Sequence, residues 1–100
     1  MLSLRDLLQA GLVSDGDRLI WHKSGSLDPH EAKLLADGKI ETADGKVHNS
    51  LSTAARYVNA GISTNGWRVW VVSSKGKSLS EIRSLYLNSP LNNLPGKTTQ

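Results

Sequence analysis

The chain has 100 residues, 38% of them hydrophobic, and 12 Lys and Arg against 9 Asp and Glu give a net charge of +3. That length suits one small domain with a thin core, and leaves little room for a deep catalytic cavity as well. The absence of Cys excludes disulfide staples, thiolate metal ligands and Cys nucleophiles, and the mild basic excess is compatible with nucleic acid without demanding it.

Leu4, Leu7, Leu8 and Leu12 recur at helical spacing and predict a short first helix. Ser3 is placed to cap it, Asp6 sits favourably in its first turn, and Gly11 is a stop signal. Ser14 to Asp17 is a turn by composition, and Arg18 to His22 reads as a strand. Lys23 to Pro29 reads as a loop. Ala36-Asp37-Gly38-Lys39 then recurs as Ala43-Asp44-Gly45-Lys46, seven residues later. Asp-Gly is a strong hairpin signal, so Lys33–Leu35, Ile40–Thr42 and Val47–His48 predict a meander of three short strands. Shared turn chemistry, rather than a solenoid, explains the echo.

Asn49-Ser50 ends the meander and can cap the next helix, predicted over Leu51–Ala60. Its apolar stripe is Leu51, Ala54, Ala55 and Val58, and Gly61 ends it. The small Ala54-Ala55 pair lets such a helix lie close to a sheet. Asn65-Gly66 reads as a tight reversal, since Gly reaches positive φ without steric cost. Trp67 to Val72 alternates as a strand with two apolar faces, which predicts a central strand covered on both sides. Ser73 to Lys77 is a basic loop. Ser78 and Glu81 form a capping box for a last helix carrying Leu79, Ile82, Leu85 and Tyr86. The expected fold class is α+β: a small, mainly antiparallel sheet with about three helices packed against it, in the order α-β-βββ-α-β-α. A single domain is expected over residues 1–88, with 89–100 a flexible tail or linker.

Catalytic constellations are weak. His22, His30 and His48 are far apart and form no metal-ligand pair at helical spacing. There is no Gly-x-Ser-x-Gly elbow and no Gly-rich phosphate loop. Asp37 and Asp44 have a turn explanation and Glu81 a capping one, so no carboxylate asks to be a general acid or base. The expectation is a non-enzymatic protein without cofactor or metal. The N-terminus has no basic region followed by an apolar run, and no stretch approaches the ~20 apolar residues of a membrane span. A soluble cytoplasmic domain is expected, nucleoid-associated if it binds DNA.

Binding features are better. Ser50, Ser52 and Thr53 place hydroxyls at a helix start, where unsatisfied N–H groups and the helix dipole favour phosphate. Arg56 lies one turn beyond Ser52 on the solvent face. Simple capping and a solvated face explain the same residues. Thr64, Asn65 and Trp67 can add hydrogen bonds and a flat ring beside that helix start. Trp67 is equally readable as core, sharing a face with Val69 and Val71, whereas Trp70 reads as core. Lys75 and Lys77 sit in a loop able to reach a phosphate backbone or to remain solvated.

Several of these elements, taken together, carry a resemblance. They are Leu4-x-x-Leu7-Leu8-x-Ala10-Gly11-Leu12-Val13, the Gly16-Asp17-x-Leu19 step, Ala32-x-Leu34 before Asp37-Gly38, and Ile40 before Asp44-Gly45. Ser50-Leu51-Ser52-x-Ala54-Ala55, then Asn65-Gly66-Trp67-x-x-Trp70 and Ser78-Leu79-x-x-Ile82-Arg83, complete the pattern. In order and spacing, over about residues 4 to 87, it resembles the RAMA domain, the restriction enzyme and adenine methylase associated module. The resemblance implies binding of double-stranded DNA, in some members with recognition of methylated adenine, or assistance to a restriction or methyltransferase partner. Ser50, Ser52, Asn65 and Trp67 match the family's polar signature, and Arg83 its terminal Leu-Arg element. The expected DNA-binding set is therefore Ser50, Ser52, Arg56, Thr64, Asn65, Trp67, Lys75 and Arg83. The alternative is a protein-interaction module that docks on a restriction or modification enzyme through apolar surface near Trp67, Tyr57 or Tyr86. A DNA-mimicking inhibitor is disfavoured by the basic charge.

Overall fold

The computed structural model describes residues 3–25 and 27–88. Ten elements follow one another: α1 (Leu4–Gln9), β1 (Arg18–Trp21), β2 (His30–Leu34), β3 (Ile40–Thr42), β4 (Val47–His48), α2 (Leu51–Val58), α3 (Gly66–Val69), β5 (Val71–Val72), β6 (Lys77–Ser78) and α4 (Leu79–Leu87). The strands form one antiparallel sheet in the order β4-β3-β2-β1-β5-β6. This is the α+β architecture expected from the sequence, with more elements in its second half. The expected tail beyond residue 88 lies outside the described residues.

The meander is built by two copies of one device. In the first turn the Gly38 N–H donates to the Leu35 carbonyl and the Leu35 N–H to the Lys39 carbonyl; in the second, Gly45 and Thr42 do the same with Thr42 and Lys46. Both glycines have positive φ, 86° and 89°. Asp37 and Asp44 each accept from the N–H two residues on, at 3.1 and 3.2 Å. A turn closed by a left-handed glycine suits a three-residue hairpin loop. The register pairs Ala32 with Thr42 and Leu34 with Ile40, and then Ile40 with His48.

That register sorts the sheet into two faces, since cross-strand partners share a face. Leu19, Ala32, Leu34, Ile40, Thr42, His48 and Val72 are buried on one side. Leu4 and Leu7 of α1, Leu51, Ala54 and Ala55 of α2, Trp70, and Leu79 and Ile82 of α4 complete the same core. The other side carries Arg18, Glu31, Lys33 and Glu41, joined by an Arg18–Glu31 ion pair at 2.6 Å and a looser Lys33–Glu41 contact at 3.8 Å. Exposed pairs of this kind add little stability and mainly keep that face polar.

The helix caps follow the sequence closely. Asp6 accepts from the Ser3 N–H at 2.7 Å, and the Ser50 hydroxyl accepts from the Thr53 N–H at 3.1 Å. At α4 the Ser78 hydroxyl accepts from the Glu81 N–H at 3.1 Å, while the Glu81 carboxylate accepts from the Ser78 N–H at 2.9 Å. Gly11 stops α1 with a φ of 77°. In contrast, α2 ends at Val58, two residues before the expected Ala60. The left-handed turn after its Asn59 cap begins at Ala60, with φ of 57°, and continues at Gly61, with φ of 84°.

The Asn65–Trp70 segment departs from expectation. Trp67 to Val72 is not one strand: Gly66–Val69 is a single helical turn, and only Val71–Val72 pairs in the sheet. Asn65 caps the turn by accepting from the Trp67 N–H at 3.1 Å, and the Trp70 N–H reaches the Gly66 carbonyl at 3.1 Å. Four residues are too few to display a helical period, so their alternation was compatible with either structure. Gly66 is also not a positive-φ hinge, as the left-handed glycines lie elsewhere. It is glycine because α3 rests on the first turn of α2. A Cβ there would lie 2.1 Å from the Leu51 carbonyl carbon and 2.4 Å from the Ser52 nitrogen. Nor is β5 equally covered on its two sides: Val72 is buried, while Val71, paired with Ile20 on the other face, is only partly buried, as is Ile20. Two further differences are edge effects. β2 starts at His30, directly after the expected loop and three residues ahead of the expected Lys33, and ends at Leu34, while Lys77–Ser78 adds a short β6 before the cap of α4.

Candidate functional site

The two tryptophans of this segment divide sharply. Trp70 is fully buried, its indole N–H donating to the Leu51 carbonyl at 3.1 Å. Its ring meets that of Trp21 edge-on, with centroids 6.0 Å apart. Trp67 is only partly buried. The Arg83 guanidinium of α4 lies over its ring, 4.6 Å from the centroid. A cation held there is attracted by the ring's quadrupole, which restrains both side chains.

Trp67 also borders a groove of about 410 Å³. The start of α1 (Ser3, Leu4, Arg5), the β2–β3 turn (Asp37, Gly38, Lys39) and the entry to α2 (Asn49, Ser50, Leu51) form its remaining walls. Buried Leu4 and Leu51 give it an apolar floor. Two cations stand on the wall facing α2. The Arg5 Nε donates to the Asp37 backbone carbonyl at 3.0 Å, a neutral acceptor, so this contact leaves the guanidinium charge unneutralised. Lys39 stands 4.0 Å from the Asp37 carboxylate, an exposed and loose pairing.

The eight residues expected at the site fall into distinct places. Ser50 and Trp67 line the groove, and Arg83 reaches it through the ring it covers. Ser52 faces α3, its hydroxyl accepting from the Gly66 N–H at 3.0 Å. Asn65 caps α3. Thr64 accepts from the side chain of buried Asn59 at 3.0 Å and donates to the Ile62 carbonyl at 2.9 Å. Arg56 donates to the Gly61 carbonyl at 3.2 Å beyond the end of α2. Lys75 sits in the β5–β6 turn, which contributes nothing to the groove walls.

Arg5, Lys39 and Asn49 are groove residues that sequence reasoning missed. Arg5 and Asp37 are 32 positions apart, and only packing of α1 against the β2–β3 turn brings them together. Gly38 marks that approach, being buried with the Arg5 Cγ 3.3 Å from where its Cβ would stand. The repeated Ala-Asp-Gly-Lys was visible, but nothing in it distinguished the copy that faces the groove.

A second polar cluster lies at the β3–β4 turn. The Asp44 carboxylate accepts from the Thr42 hydroxyl at 2.7 Å and from the Tyr57 hydroxyl of α2. Tyr57 and Thr42, with the Lys46 N–H, hold the Asp44 carboxyl down at about 2 from its ordinary 3.8, and the same contact raises the Tyr57 phenol. The His48 ring packs on Tyr57 with centroids 4.7 Å apart, and its Nε2 is 3.2 Å from the Thr42 hydroxyl. Among the described residues no group of three or more His, Asp or Glu could hold a metal ion, and no helix is long and apolar enough to cross a membrane.

The groove thus brings a partly buried indole and two cations together on a small α+β domain. The comparison with protein families is specific: residues 1–90 match the Restriction Enzyme Adenine Methylase Associated family, RAMA, and the chain belongs to it. Among curated proteins, none matches the chain. The family description ties the chain to restriction enzymes and adenine methylases as an associated domain.

Proposed function

We propose that this protein is a non-enzymatic DNA-binding accessory domain of a restriction or adenine-methylation system, and that DNA docks in the groove beside Trp67. The observation that carries this reading is the meeting of Trp67, Arg5, Lys39 and the Ser50 end of α2 around one open cleft. Arg5 and Lys39 would contact phosphate, and Trp67 would offer apolar surface to a base, including the methyl group of N6-methyladenine. Ser52, Asn65 and Thr64 serve the site indirectly, by fixing α3 and the loop before it.

Phosphate contacts make affinity salt-dependent, with a log–log slope of about −0.9 per neutralised phosphate on duplex DNA. Two such cations predict a slope near −2, and Arg5→Ala should reduce it by about one. Fluorescence anisotropy against a salt series measures both. A flat salt response, or no binding at low salt, would remove the nucleic-acid reading. Exposed Ile62 and Leu85 support a second reading, docking onto the enzyme itself. Retention of a restriction or methyltransferase subunit without DNA would favour it.

A further inference from the structure

We propose that the groove takes one unstacked DNA nucleotide, its base against the Trp67 indole and its phosphate toward Arg5 and Lys39. This rests on the DNA-binding reading and specifies which state of the DNA is recognised. At about 410 Å³ the groove falls among small-molecule sites, which span roughly 300–1,000 Å³. A base inside a duplex is covered on both faces by its stacked neighbours and cannot enter a cleft of this size unless it is extruded. Only a base released from its stack can present a flat face to the indole and to the apolar floor of Leu4 and Leu51.

The charge pattern agrees. Arg5 and Lys39 are the two cations of the groove wall, and Lys39 is shared with the Asp37 carboxylate at 4.0 Å. That suits one or two phosphates and not a tracked duplex backbone, so stacking must supply much of the affinity. Loss of an aromatic platform weakens single-strand binding by roughly five- to 150-fold per base. Arg83 stacks on Trp67 without lining the groove, which makes it a positioning residue that holds the ring.

The test uses the whole chain and three labelled probes at low salt: a short single strand, its matched duplex, and that duplex with one unpaired nucleotide. The single strand and the duplex with the unpaired nucleotide should bind at least about fivefold more tightly than the matched duplex. Trp67→Leu should abolish that difference, and Trp67→Tyr should keep most of it. A 2-aminopurine at the unpaired position should lose fluorescence on binding to the unaltered protein, which needs no variant to fold. Equal or tighter binding of the matched duplex, or unchanged 2-aminopurine fluorescence at saturation, overturns the inference and leaves DNA binding standing. Failure of all three probes to bind overturns both. A folded Trp67→Leu chain that retains the preference overturns the role given to the ring.

Discussion

The two Asp-Gly turns are built alike and serve different ends. Each is closed by the same backbone bonds, the same left-handed glycine and the same aspartate contact. Around Gly45 a Cβ would meet nothing within 4 Å, and the turn is pinned through Asp44 to Thr42 and Tyr57. Around Gly38 the α1 helix closes in, Arg5 bonds the Asp37 carbonyl, and Lys39 joins a groove wall. Identical local chemistry therefore builds a structural tie in one place and one side of a candidate binding site in the other. What a turn does here is set by what packs on it.

The largest effect is expected where α3 rests on α2, beside Leu51 of the groove. Gly66→Ala would drive a Cβ into the backbone of α2, which cannot move aside as a side chain can. A loss of at least about 2 kcal/mol is expected by urea denaturation. Unchanged stability would mean that α3 does not rest on α2 as described.

Replacing the turn glycines separates fold from groove. Gly38→Ala and Gly45→Ala each force alanine into a left-handed conformation, at about 1–2 kcal/mol. The two should lose similar stability, because the neighbour crowded at Gly38 is the flexible Arg5 Cγ. Only Gly38→Ala should also weaken DNA binding, through displaced Arg5. Equal binding losses for both would show that the effect is general destabilisation.

Smaller effects are expected from charges. Lys39→Ala should lower affinity and reduce the salt slope by about one, whereas Lys46→Ala, its counterpart in the second turn, should change neither. Direct titration at several salt concentrations distinguishes them.

The smallest effect belongs to the structural turn. The Asp44 carboxyl is depressed to about 2, so its contact stabilises the fold above 3.8 and is lost as pH falls toward 2. The Tyr57 phenol is raised above its ordinary 10.0, so the same contact is lost again as pH climbs through the raised value. Tyr57→Phe should return the Asp44 carboxyl toward its ordinary value and flatten the acid limb of stability, leaving DNA binding intact. Carboxyl NMR titration checks the first point, and an unmoved Asp44 would remove Tyr57 as the main cause.

Most of what was legible in the sequence was carried by short-range chemistry, although the Asn65 cap of α3 was missed. The capping box of Ser78 and Glu81, the stripe of Leu51, Ala54, Ala55 and Val58, and both Asp-Gly turns were readable because each is set by residues a few positions apart. The turn at Gly66–Val69 was not, because its apolar alternation suited a strand and its cause is a backbone contact with Leu51 and Ser52. The candidate site was half legible. Ser50 and Trp67 were found from helix-start and aromatic signals, while Arg5 and Lys39 become neighbours only when α1 packs on the first turn. Ser52, Thr64 and Asn65 were noticed for their polarity, which the fold uses to hold itself.

An amide and indole NMR titration of the labelled chain with DNA carrying one unpaired nucleotide tests the central claim most directly. Shifts are expected at Gly38, Lys39, Asn49, Ser50 and the Trp67 indole N–H, with Asp44 to Lys46 and Lys75 unmoved. Shifts concentrated at Lys75 or the Asp44-Gly45 turn, with the Trp67 indole unchanged, would contradict it.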